Sequence, residues 1–358
     1  MTTYNWNLTT GGAWGTTTNW TPTAPTGGPG STDTAVFSQN ITANANITLP
    51  ATITAQTISA QDITVNSNAW FIGQTGVSNS WAPGVNAIFT VPLLQSAPAY
   101  VLYFYARLTG SVDFKKTGAG AAALGSPNAG THNPTSITIQ DGLVFSASTI
   151  AATTTLNFGE SGIVPPSGTA AFDSGSSITQ TFGGPANINQ NFTFQGSSLS
   201  TGTLTLSGAV NFGGTQRTLT VTNGPVTVSG VLSGTAGFVK AGTNTLTLSS
   251  TSASNALSGT VTVNAGTLSV STTSLQDAIW DSGGAGTTTF AASSKLGGIT
   301  GSGNFSFTTA LTLGGVGTNV SATWTGGFIT NNITLTKAGT GTQQLGGNST
   351  GRTSAATN

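Results

Sequence analysis

The chain contains no cysteine. Disulfides, thiolate catalysis and cysteine-ligated zinc are therefore excluded. Charge is nearly absent as well. Only 4% of residues are Asp, Glu, Lys or Arg, against about 25% in ordinary soluble proteins. The eight basic and eight acidic residues cancel, and no run of like charge occurs. Nucleic-acid binding needs clustered Lys and Arg to displace counterions, so no nucleic-acid partner is expected. The opening MTTYNWNLTT has neither a basic n-region nor an apolar h-region, so no secretory signal is read there. The one long uncharged apolar stretch, AIFTVPLLQSAPAYVLYFYA (87–106), is broken by Pro92, Gln95 and Pro98 and lacks basic flanks. A lipid-spanning helix needs roughly 20 unbroken apolar residues, so buried strands are expected here and no membrane insertion.

What is present is period two. Alternation of Val, Ile, Leu and Thr fills ITLPATITAQTISAQDITVNS (47–67), LTLSGAV (204–210), RTLTVTNGPVTVSGVLSG (217–234) and TVTVNAGTLSVS (260–271). Successive side chains of a strand point to opposite faces, so this pattern predicts half-buried strands. Gly, Asn and Pro interrupt the runs every few residues and mark turns. Nearly all-β structure with short strands is expected.

The sequence also repeats. VDFKKTGAGAAALGS (112–126), GFVKAGTNTLTLSS (237–250) and TLTKAGTGTQQLGG (334–347) align so that Lys116, Lys240 and Lys337 coincide. Gly118, Gly242 and Gly339 then coincide too, as do Leu124, Leu248 and Leu345. Downstream, ITIQDGLVFSAS (137–148) lies over VTVNAGTLSVS (261–271), which places Gly142 and Gly266 at the same distance from their lysines. The third copy would need its closing Gly beyond Asn358, so the final repeat reads as incomplete and its open coil as a place to look for an interface.

This pattern, apolar-x-Lys-x-Gly-x-Gly-x-Leu-x-Leu followed by Val-x-Val-x-Ala-Gly-x-Leu, resembles the autotransporter-associated β-strand repeat. Residues 237–271 match closely, 110–148 more loosely with Asp141 where Ala265 stands, and 328–351 over the first half alone. LGGITGSGNFSF (296–307) is similar to the segment preceding such repeats. Trp6, Trp14, Asn19-Trp20 and Asp33 to Phe37 resemble the Trp-rich opening of such arrays. The resemblance implies a right-handed parallel β-helix (a β solenoid), set in the passenger of a secreted autotransporter or a large bacterial surface protein. Physical chemistry agrees with the architecture. A parallel β-helix takes alternating apolar residues inside and Gly or Asn at its corners. Stacked Thr, Ser and Asn outside form hydrogen-bonded ladders in place of salt bridges. The expected organisation is a Trp-rich cap with first coils (1–67), an aromatic-rich insertion (68–109), a first repeat (110–148), irregular coils (149–236), the best repeat (237–271), further coils (272–327) and the incomplete repeat (328–358).

Candidate sites follow from the same reading. A catalytic lysine needs a pocket and a lowered pKa. Three lysines at one repeat position read instead as structural, each with its stem along a solenoid face and its ammonium in water or on a turn carbonyl. Glycan hydrolysis needs two carboxylates about 5–10 Å apart. Of the acids, Asp277 and Asp281 alone are close in sequence. His132, in NAGTHNPTS, has no second histidine and no adjacent acid, and reads as an exposed turn residue. No metal or other cofactor is expected. Trp6, Trp14 and Trp20 read as a cap over the solenoid end, with a sugar-stacking platform as the alternative. Trp70, Phe71, Trp81, Phe89, Tyr100, Tyr103, Phe104 and Tyr105 read as interface candidates, packed on the solenoid or on another chain.

Three functions remain. The first is a non-enzymatic virion component, a phage capsid decoration protein or fibre, assembled as a homotrimer. The second is the passenger of a bacterial surface protein or adhesin, with a surface glycan as partner. The third, disfavoured by the scatter of the acids, is a polysaccharide-active enzyme.

Overall fold

A computed structural model describes residues 1–346 apart from 40, 42, 61–67, 74–78, 85–86, 92–101, 126–129, 147, 164–169, 175–178, 198–199, 305–309, 315–319 and 328–333. Its helical content among these is one short turn, Thr17–Asn19. Among the described residues no helix is long and apolar enough to cross a membrane. The chain divides into two compact units, Met1–Pro185 with Gln195–Gly202, and Ala186–Phe194 with Thr203–Asn358. Each is built as a parallel β solenoid.

In the first unit, Thr3–Trp6, Thr34–Phe37, Thr57–Ala60, Ala87–Thr90, Asp113–Thr117, Ser136–Ile139 and Thr155–Phe158 stack as parallel neighbours in one sheet. Gly12–Ala13, Ala45–Thr48, Trp70–Ile72, Leu102–Phe104, Ala121–Leu124, Gly142–Ser146 and Ala170–Asp173 stack in a second. Thr52–Ile53, Ser80–Trp81 and Arg107–Leu108 form a third. The chain visits the sheets in turn, so each coil lays its strands on those of the coil before. The alternation read from the sequence sets the faces. In Thr34–Phe37 the buried residues are Ala35 and Phe37, and in Thr57–Ala60 they are Ile58 and Ala60.

The second unit repeats this plan. Its longest sheet runs from Phe192–Phe194 through Arg217–Val221, Gly237–Ala241, Thr260–Val263, Leu275–Asp281, Ser294–Thr300 and Ala310–Leu313 to Thr334–Lys337. Beside it stack Leu204–Leu206, Val226–Val228, Thr245–Leu248, Thr267–Val270 and Thr287–Phe290. A further stack holds Ala186–Ile188, Val210–Asn211, Leu232–Gly234 and Ala256–Leu257. Ala322–Trp324 pairs with Gln343–Leu345. Residues 203–236, which lose the repeat register in sequence, are regular rungs here.

The N-terminal end is closed by the tryptophans. Trp20–Thr21 runs antiparallel to Thr3–Trp6, against the parallel rule elsewhere, and the Thr21–Pro22 peptide that follows is cis. Trp6 and Trp20 meet edge to face at 4.9 Å, Trp14 and Trp20 at 5.0 Å, and Phe37 contacts all three. Trp20 Nε1 donates to the Trp14 carbonyl at 2.8 Å. All three indoles are buried, so none offers a face to a sugar, and the sugar-stacking alternative does not fit this geometry.

The aromatic-rich stretch 68–109, expected as an insertion, supplies rungs of all three sheets. Trp70, Trp81, Phe89 and Phe104 are fully buried and fill the core. Strand alternation is the reason: in Trp70–Ile72 and Leu102–Phe104 the first and third residues point inward. Outward-facing Phe71 and Tyr103 lie on adjacent rungs and stack at 4.5 Å with 7° between ring planes, with Tyr105 beside them. Tyr100 lies outside the described residues. The outer faces also carry the expected hydroxyl ladders, such as Thr52 to Ser80 and Thr90 to Thr117, each at 2.9 Å.

Because the tryptophan cluster closes one end of the apolar core, Trp20→Ala should destabilise the chain by about 3–5 kcal/mol, the usual cost of emptying a buried aromatic site. Chemical denaturation followed by tryptophan fluorescence checks this. A loss below about 1 kcal/mol contradicts the cap.

Candidate functional site

Lys116 and Lys240 stand at core-facing positions. Lys116 pairs along its sheet with Phe89 on one side and Ile139 on the other, and Lys240 with Leu219 and Val263. A lysine there buries its stem among apolar neighbours, and its ammonium must then find acceptors inside. The Lys-x-Gly corner provides them. Lys116 Nζ donates to the carbonyls of Thr117 (2.9 Å), Gly118 (2.7 Å) and Asp141 (3.1 Å). Lys240 Nζ donates to Ala241 (2.8 Å), Gly242 (2.8 Å) and Ala265 (3.0 Å). Three protons meet three carbonyls, which is the full donor capacity of an ammonium. Two acceptors come from the lysine's own corner and the third from the next coil, 25 residues on in both copies. Each lysine is therefore a clamp between consecutive coils.

The clamp explains the glycines. Gly118 and Gly242 both have φ +77°, which turns the two corner carbonyls toward Nζ. Gly142 (φ +70°) and Gly266 (φ +65°) follow the third carbonyl. A Cβ on either would lie 2.4 Å from the carbonyl oxygen of Gly118 or Gly242, so the next coil closes on the corner only without one. Among the described residues, Lys337 keeps two of these three contacts. Its Nζ donates to Ala338 O and to Gly339 O (3.0 Å), and the residue is exposed. The sequence expectation of turn carbonyls therefore holds at all three lysines. The expectation of a solvated ammonium is corrected at Lys116 and Lys240, which are fully buried because their strand positions face the core.

Burial pulls the Lys116 pKa down to about 7, opposed by the nearby Asp141 carboxylate. Burial pulls Lys240 down to about 8, a smaller shift because its carbonyl cage lies nearer solvent.

The other ionisable groups serve corners as well. Asp173, fully buried, accepts from Gly196 N (2.7 Å), Ser197 N (2.9 Å) and Ser200 Oγ (3.0 Å), and burial outweighs these donors to push it up to about 6. Beside it Gln195 (φ +55°) donates to Ser174 Oγ and the Gly202 carbonyl and accepts from Ser174 N. Asn255 joins two coils through Leu232 N and the Thr273 carbonyl. Asp33 holds Thr2 N and Gly30 N, Asp281 holds Gly283 N and Thr262 Oγ1, and Lys115 pairs with Glu160 at 2.7 Å. Asp277 is buried in the same strand as Asp281, and Asp62 lies outside the described residues. Among the described residues no group of three or more His, Asp or Glu stands close enough to hold a metal ion.

His132 corrects a second expectation. It is fully buried, because it bridges to Ile150 as a rung rather than projecting from a turn. Its Nδ1 accepts from Leu108 N at 3.0 Å, and burial, followed by the Arg107 charge, lowers its pKa to about 4. Sequence reasoning counted Asp173 as one of the scattered acids without reading its burial, and passed over Gln195 and Asn255. Isolated polar residues between alternating runs look like turn residues, and nothing in their spacing announces burial.

Lys240→Met should destabilise the chain by about 1–3 kcal/mol, because three carbonyls lose their donor. Lys337→Met should change stability by less than about 0.5 kcal/mol, as at an ordinary surface position. Thermal melts of both variants check the contrast, and equal effects contradict the clamp. The pH dependence has a definite sign. Between about pH 7 and 10 the unfolded chain holds protons on these two lysines that the folded chain has released, so stability rises with pH across that window. The double variant Lys116→Met/Lys240→Met should flatten the rise; an unchanged slope contradicts the assignment. No protein-family model, no curated protein and no solved structure matches this chain.

Proposed function

We propose that this chain is a non-enzymatic structural protein, a rigid β-solenoid element of a virion such as a capsid decoration protein or a fibre component. The observation that carries the reading is the use made of the buried ionisable groups. Lys116, Lys240 and Asp173 direct their polar atoms to backbone of the neighbouring coil, and His132 accepts a backbone N–H. Perturbed groups in an enzyme converge on a cleft where substrate sits. Here they tie rungs together. A chain without cysteine suits assembly in a reducing cytoplasm followed by service outside the cell. The outward stack of Phe71, Tyr103 and Tyr105 gives a half-exposed aromatic strip for contact with other protein chains, and we place the homotrimer contact there. Partial burial raises the hydroxyl pKa of both tyrosines, Tyr103 with a further push from Tyr105, so the strip stays uncharged at neutral pH.

A second reading, the passenger of a bacterial surface protein, is favoured by the repeat resemblance of residues 237–271. Fractionation of the native source distinguishes the two. The virion reading expects the chain in purified particles, and recovery from the cell envelope alone overturns it. Sedimentation velocity at micromolar concentration should give a trimer that Tyr103→Ser weakens; a monomer contradicts the trimer. Incubation with pectins and related glycans should release no product, and clear turnover overturns the non-enzymatic reading.

A further inference from the structure

The third sheet of the first unit runs through Thr52–Ile53, Ser80–Trp81 and Arg107–Leu108, and beyond it the ladder passes to His132 and then to Ile150. Backbone bonds continue the parallel register across both steps. Asn133 N donates to the Leu108 carbonyl at 3.0 Å, His132 N to that of Thr149 at 2.9 Å, and Ala151 N to that of His132 at 2.8 Å. One bond of the regular pattern is replaced. In that register a parallel ladder sends the Leu108 N–H to the carbonyl of Thr131. It goes instead to His132 Nδ1 at 3.0 Å. Because Nδ1 accepts, the imidazole is neutral and carries its proton on Nε2. Nε2 lies beside Gly125 and Ser148, buried and with no partner among the described residues.

We infer that His132 is an acid-sensitive joint between coils of the first unit. A carbonyl accepts a ladder bond at any pH, whereas this imidazole accepts only while neutral, so acid opens the stack at Leu108. A proton on Nδ1 would set one N–H donor against another and leave a buried charge without an acceptor. It would also meet the Arg107 guanidinium, the charge that acts on this ring. Leu108, Gly125, Ser148, Thr149 and Ile150, which meet His132 from the neighbouring strands, carry no charge to offset it. Burial first, then Arg107, holds the ring near a pKa of about 4 in place of the ordinary 6.5. Once the joint is open the ring regains its ordinary value. Between about pH 6.5 and 4 the open form takes a proton that the closed form refuses, so the open fraction rises about tenfold for each pH unit lost. Asp173 works in the opposite direction on global stability, because burial raises its pKa to about 6 and acid then favours the folded chain. The decisive measurement is therefore local.

His132 is the single histidine of the chain, so nitrogen-15 NMR of the full protein reads its ring without ambiguity. The ring should be the Nε2–H tautomer at pH 7 and should titrate with a midpoint well below 6.5. Amide hydrogen exchange, corrected for the intrinsic rate, should show Leu108 losing protection about tenfold per pH unit below about 6.5. Val261, in the second unit, should keep its protection over the same range. In His132→Asn the amide oxygen takes the place of Nδ1 and does not titrate, so the Leu108 protection should stay constant. An Nδ1–H tautomer or a midpoint near 6.5 overturns the proposal. So does a loss at Leu108 that is absent, that Val261 shares, or that persists in His132→Asn. The readouts on the unaltered chain decide the matter even where the variant fails to fold.

Discussion

Each coil of a parallel solenoid must turn corners, and every corner presents carbonyls that no ladder partner reaches. An orphaned buried carbonyl is costly, so those oxygens must be met from within the chain or by water. In this chain, with so few charged residues, the ammoniums of Lys116 and Lys240 meet them. An ammonium placed in the core lowers its own pKa and still costs solvation, but it satisfies three acceptors at once and joins two coils in one register. Register matters because a one-residue slip would turn every inward Val, Leu and Phe outward. The same logic with opposite sign appears at Asp173, where a buried carboxylate collects two backbone N–H groups and a hydroxyl.

The fold was legible because strand alternation is a local property. Thr245–Leu248 reads Thr-Leu-Thr-Leu and buries its two leucines, and no distant information is needed to say so. The repeat was legible because the clamp demands Lys, Gly and a second Gly at fixed spacing, so the geometry leaves a trace in residue identity. Trp6, Trp14 and Trp20 were legible as a cap for a related reason: large apolar rings crowded ahead of the first regular rungs have an open core end to cover.

Other features were not legible. Residues 68–109 looked like an insertion because their composition departs from Thr and Val, yet Trp70 and Phe104 occupy the same inward positions that Ala45 and Leu124 occupy on adjacent rungs. Composition reported a core built from larger side chains, not a different topology. The burial of Lys116 and Lys240 was hidden for another reason. Lysine in an alternating strand reads as the outward residue, and the strand parity of Phe114 and Phe238, two positions earlier, was the signal that it points inward. His132 sits among Gly, Asn and Pro and still forms a rung, because pairing to Ile150 and not local sequence decides its exposure.

The central claim is that two of the five lysines are buried ammonium clamps between coils. Nitrogen-15 NMR of the lysine side chains near pH 6, where both are charged, tests it directly. The account predicts two slowly exchanging ammonium signals, lost one at a time in Lys116→Met and Lys240→Met, while Lys115, Lys295 and Lys337 exchange at the solvated rate. Five equally fast lysines would contradict it.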